Sequence, residues 1–350
     1  MKIQKLGWAL LAALLLVTAL SVTCSLFGMD TEDNNDDDQG DDDQDDDDID
    51  DDDDDADTEQ ALIPAGVFTM GCEPTDNSCE EDEQPAHDVY VSAYYIDLYE
   101  VTNQQYADYL NAYNPENQCN EEQYELCVVP ADYFGWETER GIRHEVDGWI
   151  VDPGWEERPA IGVNWDGADW YCRAYDMRLP TEAEWEKAAK FTIDDVGNTY
   201  QFIYPWGNDW LSNAANWAHN GDPYEGTELY PDTTPVGFFN GSLVDGYQTL
   251  DGRSPHGLYD MAGNAAEWVS DWWDPDYYSE PPEEGWVDPQ GPSSGWRDWS
   301  NPHLPLGPYK VLRGGAYQYS DKSKFRATYR YWDFTNAMNS TAGFRCVTDL

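Results

Sequence analysis

Hydrophobic and polar positions divide the chain into three stretches. Lys2 and Lys5 precede an apolar run from Leu6 to Val22, short for a spanning helix but suited to the hydrophobic region of a signal sequence. Residues 29–60 carry no apolar pattern, and like charges there repel without anything to offset the chain entropy. From Ala61 onward apolar residues return in short bursts between Gly, Pro, Asn and Asp turns, which predicts one irregular domain of short strands and few helices. The organisation expected is a targeting segment over 1–28, an Asp-rich disordered tether over 29–60 and a folded domain over 61–350. No repeat with a period of about 20–50 residues is present.

Within the domain, Ile63 to Met70 and Val89 to Ile96 read as strands, the second alternating Val89, Val91, Ala93 and Tyr95 against outward positions. Three helices are predicted from their caps. Thr102-Asn103-Gln104-Gln105 and Thr181-Glu182-Ala183-Glu184 are capping boxes, and Asn164 caps a helix bearing Trp170, Tyr171 and Cys172. The segment from about Asn198 to Asn264 offers little regular structure. Loops of that length need a fixing agent, and calcium suits them, since a hard cation collects oxygens that acidic loops supply.

Composition narrows the function. The 350 residues include 71 acidic and 18 basic ones, a formal net charge of -53, which excludes a nucleic-acid binder acting by phosphate neutralisation. The domain itself is acidic, with 50 acidic against 16 basic residues from Gln60 onward, while 17 Trp and 24 Tyr in the chain supply a large aromatic core. For the acidic tract, low-affinity calcium capture or surface repulsion stands beside the simpler reading of a solvated spacer.

Leu20-Ser21-Val22-Thr23-Cys24 resembles a bacterial lipobox, which implies lipidation at Cys24, a membrane anchor and export to the cell envelope. Ordinary cleavage and an uncleaved anchor are the alternatives. Six further cysteines, an even number, suit an exported domain. Their spacing suggests Cys72 with Cys79 and Cys119 with Cys127 as local staples, leaving Cys172 to reach Cys346. A zinc site is disfavoured, because neither paired C-x-x-C spacing nor an H-x-x-x-H pattern occurs. His87, His144, His219, His256 and His303 are scattered.

Six motifs follow one another in order: Ile63 to Gly71, Glu100 to Tyr106, Arg178 to Glu186, Gly257 to Asn264 with Glu267-Trp268, Arg313-Gly314-Gly315, and Gly343-Phe344-Arg345-Cys346. Together they closely resemble the sulfatase-modifying-factor domain of the formylglycine-generating enzyme family. The resemblance implies an α+β, C-type-lectin-like fold, low in regular structure and stabilised by disulfides and calcium, in which Cys172 pairs with Cys346. One implied calcium site uses Asp260, the carbonyls of Gly263 and Ala265, and Glu267. A second uses Asn216, the carbonyl of Trp217, Asp222 and the carbonyl of Tyr224.

The chemistry departs from the family. Its oxidases place two copper-binding cysteines, five apart, shortly after the Arg-Gly-Gly motif, where this chain has Tyr319 and Lys324. Copper(I) needs soft thiolates, which a phenol and an ammonium do not replace, so copper is not expected. The iron branch of the family takes ligands from a separate His-bearing helical domain, and no such domain is present in this sequence. Arg313, Arg326 and Arg330, with Tyr317 and Trp332, gather in the stretch that lines the family cleft. They suit an anionic or peptide ligand, or they pair with the domain's own carboxylates. The expectation is a calcium-stabilised binding or structural module for a protein, peptide or glycan of the envelope. The alternative is a formylglycine-generating oxidase or a related metal-dependent oxidoreductase.

Overall fold

Pro64 cannot donate to a strand ladder, and it ends the first strand where the sequence predicted a continuous one. β1 (Gln60–Ile63) and β2 (Gly66–Met70) therefore enter different sheets. The second expected strand divides in the same way, into β3 (His87–Val91) and β4 (Tyr94–Asp97). At that corner Ser92 donates from its backbone N–H and its Oγ to Asp288. Each break hands the chain from one sheet to another.

The computed structural model describes residues 59–72, 76–113, 141–146, 148–194, 196–224, 232–279, 281–283, 285–295 and 308–350. They fall in one unit, Asp54–Leu350. Cys24, Cys119, Cys127 and His303, with the targeting segment and most of the acidic tract, lie outside the described residues.

All three predicted helix caps are present. Helix α1 (Asn103–Tyr113) starts at Thr102, whose Oγ1 accepts from Gln105 N while Gln105 Oε1 accepts from Thr102 N. Helix α2 (Trp165–Ala174) starts at Asn164, whose Oδ1 accepts from Gly167 N. Helix α3 (Glu182–Lys190) has the reciprocal Thr181–Glu184 box. Such caps satisfy backbone donors that the first turn leaves over.

Short hairpins fill the connections: β5 (Ile142–Glu145) with β6 (Gly148–Val151), β7 (Phe191–Ile193) with β8 (Thr199–Gln201), and β9 (Leu243–Val244) with β10 (Tyr247–Gln248). The last turns on Asp245 and Gly246, both at positive φ, the pairing that two-residue hairpins favour. Residues 198–264 are otherwise irregular among those described, as the sequence predicted.

The centre is a four-stranded sheet. It is built from β11 (Ala266–Trp272), β13 (Tyr309–Arg313), β14 (Tyr331–Phe334) and β15 (Ala342–Gly343), in the order β14-β13-β11-β15. A second sheet runs β12-β3-β2, with β12 (Trp286–Val287) parallel to β3. A third places β4 between β1 and β16 (Val347–Asp349). Side chains alternate along a strand, so β11 divides its residues between two cores. Ala266 and Trp268 join Tyr106, Tyr171 and Phe344 on one side, while Val269 joins Trp185, Ala188 and Ile96 on the other.

Helix α3 is buried along its whole length, including Glu182, Glu184, Glu186, Lys187 and Lys190. Fully buried charges are tolerated only when paired. Lys187 Nζ donates to the carbonyls of Pro64 (2.6 Å), Gly66 (3.1 Å) and Val91 (3.3 Å), and Lys190 Nζ lies 2.9 Å from Glu186 Oε1.

Candidate cation-binding loop and ligand cleft

The loop from Asp260 to Glu267 depends on three consecutive devices. Asp260, Gly263 and Asn264 all have φ between 58° and 86°. At Gly263 an added Cβ would come 2.2 Å from the Asn216 carbonyl oxygen, so only glycine fits. The chain is thereby pressed onto two neighbours: Gly263 N donates to Gly314 O at 2.9 Å, and Asn264 N to Asn216 O at 3.1 Å.

Asn264 joins these parts. Its Nδ2 donates to Glu100 Oε2 (2.7 Å) and to the Thr234 carbonyl (3.3 Å), and its Oδ1 accepts from Thr234 N (3.0 Å) and Asn216 Nδ2 (3.2 Å). Glu100 Oε1 also accepts from Ala265 N at 2.8 Å. Nothing in the sequence marked Glu100 beyond its place in the Glu-Val-Thr-Asn motif.

Below this loop Glu267 Oε1 accepts from Arg345 Nη2 (2.7 Å), and its Oε2 accepts from Arg345 Nε and Trp185 Nε1 (both 2.8 Å). Asp260 Oδ2 accepts from Gly237 N at 2.6 Å. Three buried carboxylates, Glu100, Asp260 and Glu267, thus lie near the guanidinium of Arg345, which binds Glu267 directly and acts on the other two through its charge. Burial first, then repulsion from Asp260 and Glu267, holds the Glu100 carboxyl well above the usual carboxylate range. Burial pushes Asp260 up to about 6, with Glu267 adding to the rise against the pull of Gly237 N and Arg345.

This excess of negative charge is the condition a hard dication relieves. Asp260, Gly263 and Ala265, which the resemblance implies as cation ligands, all lie in this loop. Glu267, implied as a ligand of the same site, accepts from Arg345 and Trp185. At the second expected site, Asn216 donates to the Asp232 carbonyl and to Asn264, while Asp222 Oδ1 accepts from Tyr224 N. Trp217 donates its indole N–H to the Ser212 carbonyl.

Of the two readings left open for the arginines, pairing with carboxylates is what these side chains do. Arg313 reaches Glu182 (2.9 Å) and Glu186 (2.6 Å), Arg330 chelates Glu182, and Arg326 binds Glu83 and Asp76. All three residues are buried. Tyr317 is also buried, and Trp332 packs against Trp273 and Tyr309.

Tyr319 and Lys324 each have separate neighbours. The Tyr319 ring packs on Phe325 and Tyr331, and burial pushes its phenol above the ordinary value. Lys324 Nζ lies 3.0 Å from Glu80 Oε1 and 4.2 Å from the centre of the Tyr329 ring.

A cleft of about 380 Å³ opens beside Glu100, lined among others by Glu59, Asp97, Tyr99, Glu157 and Tyr259. Tyr99 and Tyr259 stack at 5.2 Å. Its carboxylates, and a lining that holds no Lys or Arg among the described residues, were not legible in the sequence, because they come from segments far apart in the chain. Two of the expected disulfides, Cys72–Cys79 and Cys172–Cys346, are formed. Cys119–Cys127 lies outside the described residues.

Comparisons with known proteins bear on the family and the fold. The family described as the sulfatase-modifying factor enzyme 1-like domain matches residues 46–350. The serine/threonine-protein kinase pkn1 of Chlamydia caviae is 32% identical over 290 residues, which cover 83% of this chain but 38% of the kinase. The chain therefore spans well under half the length of that relative. The formylglycine-generating enzyme of Thermomonospora curvata is 28% identical over 316 residues, covering 82% of this chain and 92% of that one. The solved structure of PvdO from Pseudomonas aeruginosa superposes with a TM-score of 0.53 at 21% identity, covering 83% of this chain and 94% of that one, a likeness of fold.

Proposed function

The chain belongs to the sulfatase-modifying factor family, and from that membership we propose a binding or structural module that keeps the family scaffold, holds calcium at the Asp260 loop and lacks copper chemistry. One observation carries the reading. At the two positions where the family's oxidases place thiolates stand Tyr319, packed among aromatic rings, and Lys324, bound to Glu80. Neither side chain supplies a soft ligand. Membership alone does not fix activity, since the domain also matches a protein that carries a kinase name.

The ligand proposed is a protein, peptide or glycan at the cleft beside Glu100. Its carboxylate lining disfavours an anionic partner through like-charge repulsion.

The test is to incubate the chain with a Cys-x-Pro-x-Arg peptide, oxygen, a reductant and copper, beside an active formylglycine-generating enzyme. An unchanged peptide mass supports the module; conversion of the cysteine to formylglycine overturns it in favour of the oxidase.

Calcium makes a separate prediction. Asp260 is held at about 6 in the fold, above its ordinary value, so the folded state binds the extra proton. Without calcium, the contribution of this group to stability is fully present below about pH 4 and is lost as pH rises through about 6. Asp271, pushed to about 7 chiefly by burial and then by Glu182, extends the loss toward neutrality. Calcium, by offsetting the Asp260 charge, should raise the urea midpoint at pH 7 and flatten the lower part of this profile. Equal midpoints at pH 7 in calcium and in chelator would remove the ion from the account.

A further inference from the structure

Between the Cys72–Cys79 bond and Arg326 the structure brings together a set of donors that the spacing of the cysteines did not reveal. One ligand atom each from Cys72, Asp76 and Cys79 lies within 4.8 Å of the others. Among the described residues this is the one such trio of His, Cys, Asp or Glu. We propose that Cys72, Asp76 and Cys79 form a redox-gated metal site. When a dithiol reduces the Cys72–Cys79 bond, the two sulfurs and the Asp76 carboxylate take a thiophilic divalent cation of the zinc class.

Four observations support the assignment. Zinc with two sulfurs and one oxygen at about 2.0–2.3 Å sets its ligands less than about 4 Å apart, a separation that the trio spans with small side-chain movements. The donors are also held by contacts that do not involve the S–S bond. Cys72 N donates to Glu83 O at 2.9 Å, Asp76 Oδ1 accepts from Ser78 N at 2.9 Å, and Asp76 Oδ2 accepts from Arg326 Nη1 at 3.1 Å. Arg326 is in turn fixed by Glu83, so the carboxylate has the outer-shell support that metal ligands need.

Charge is the third support. Two thiolates, one carboxylate and a dication sum to one negative charge, and Arg326 Nη1 stands 3.5 Å from Cys72 Sγ to meet it. Finally there is a way in from the Cys79 side, because Asn77 and Ser78 are exposed and Cys79 is half-buried, although Cys72 is buried; Cys172 and Cys346 are both fully buried. The sequence disfavoured zinc for want of a C-x-x-C pair. The third ligand is the aspartate between the two cysteines.

The chemistry balances. One dithiol gives two electrons and two protons, the Cys72–Cys79 bond breaks to two thiols, and the reductant closes to its own disulfide. Metal binding then releases both thiol protons to solvent.

The full chain is tested after brief treatment with dithiothreitol, removal of the reductant under argon and addition of cobalt(II), followed by competition with zinc(II). Near-ultraviolet circular dichroism confirms that the fold persists. The expected result is a thiolate-to-cobalt absorption band in the reduced chain and none in the oxidised one. Zinc should protect Cys72 and Cys79 from alkylation, as read by peptide mass, and Asp76→Asn should weaken zinc at least tenfold. Three results would overturn the proposal: loss of the fold on reducing this bond, no protection of these two cysteines, or full-strength binding in Asp76→Asn, which would mean a bare dithiol.

Discussion

Replacing Arg345 with methionine should lower the unfolding free energy by roughly 3–5 kcal/mol, the usual cost of removing one partner from a buried ion pair. The side chain is fully buried, and its donors go to Glu267 and to the carbonyls of Asp97, Leu98 and Tyr259. Methionine fills part of the volume but leaves Glu267 without its guanidinium partner and Glu100 and Asp260 without its charge. The double variant Arg345→Met, Glu267→Gln should recover part of the loss, because one of the stranded charges is gone. Urea unfolding of both variants decides the matter. A single variant within about 1 kcal/mol of the parent would show that the carboxylates do not need the guanidinium.

Cutting the Cys172–Cys346 bond should have a comparable effect by a different route. The bond spans 174 residues, and on the loop-entropy account a link of that length stabilises by up to about 5 kcal/mol, acting mainly on the unfolded chain. It fastens helix α2 to the segment ahead of β16, where Cys346 N also donates to Asp97 Oδ2 at 2.9 Å. The pair Cys172→Ala, Cys346→Ala should fall in urea midpoint by about twice as much as Cys72→Ala, Cys79→Ala, whose link spans only 7 residues. Equal losses from the two pairs would contradict the loop-length argument.

What was legible in the sequence was local. Each helix start is a side chain reaching a backbone N–H a few residues on, so Thr102, Asn164 and Thr181 could be read directly. The glycine and aspartate turns and the two disulfides were equally open to spacing. The first strand break was visible in Pro64, although the expectation ran through it. What stayed hidden depends on partners brought together only by the fold. Arg313 meets Glu182 across 131 residues and Glu100 meets Asn264 across 164. A helix carrying five ionisable residues reads as solvent-facing until those partners are placed around it. The motifs gave the family and its loops, while the neighbour of each carboxylate came from the packing.

The sheet in which β4 is flanked by β1 and β16 has a consequence for how such a domain can be carried by other chains. Its first and last strands run alongside the same four-residue strand, so Gln60 and Asp349 leave the body within about 15 Å of each other, by strand spacing and rise. A unit whose ends lie that close can be spliced into a surface loop of a host without prising the host apart. The domain is in this sense portable cargo, as ready to be inserted between two halves of another protein as to be hung from one end.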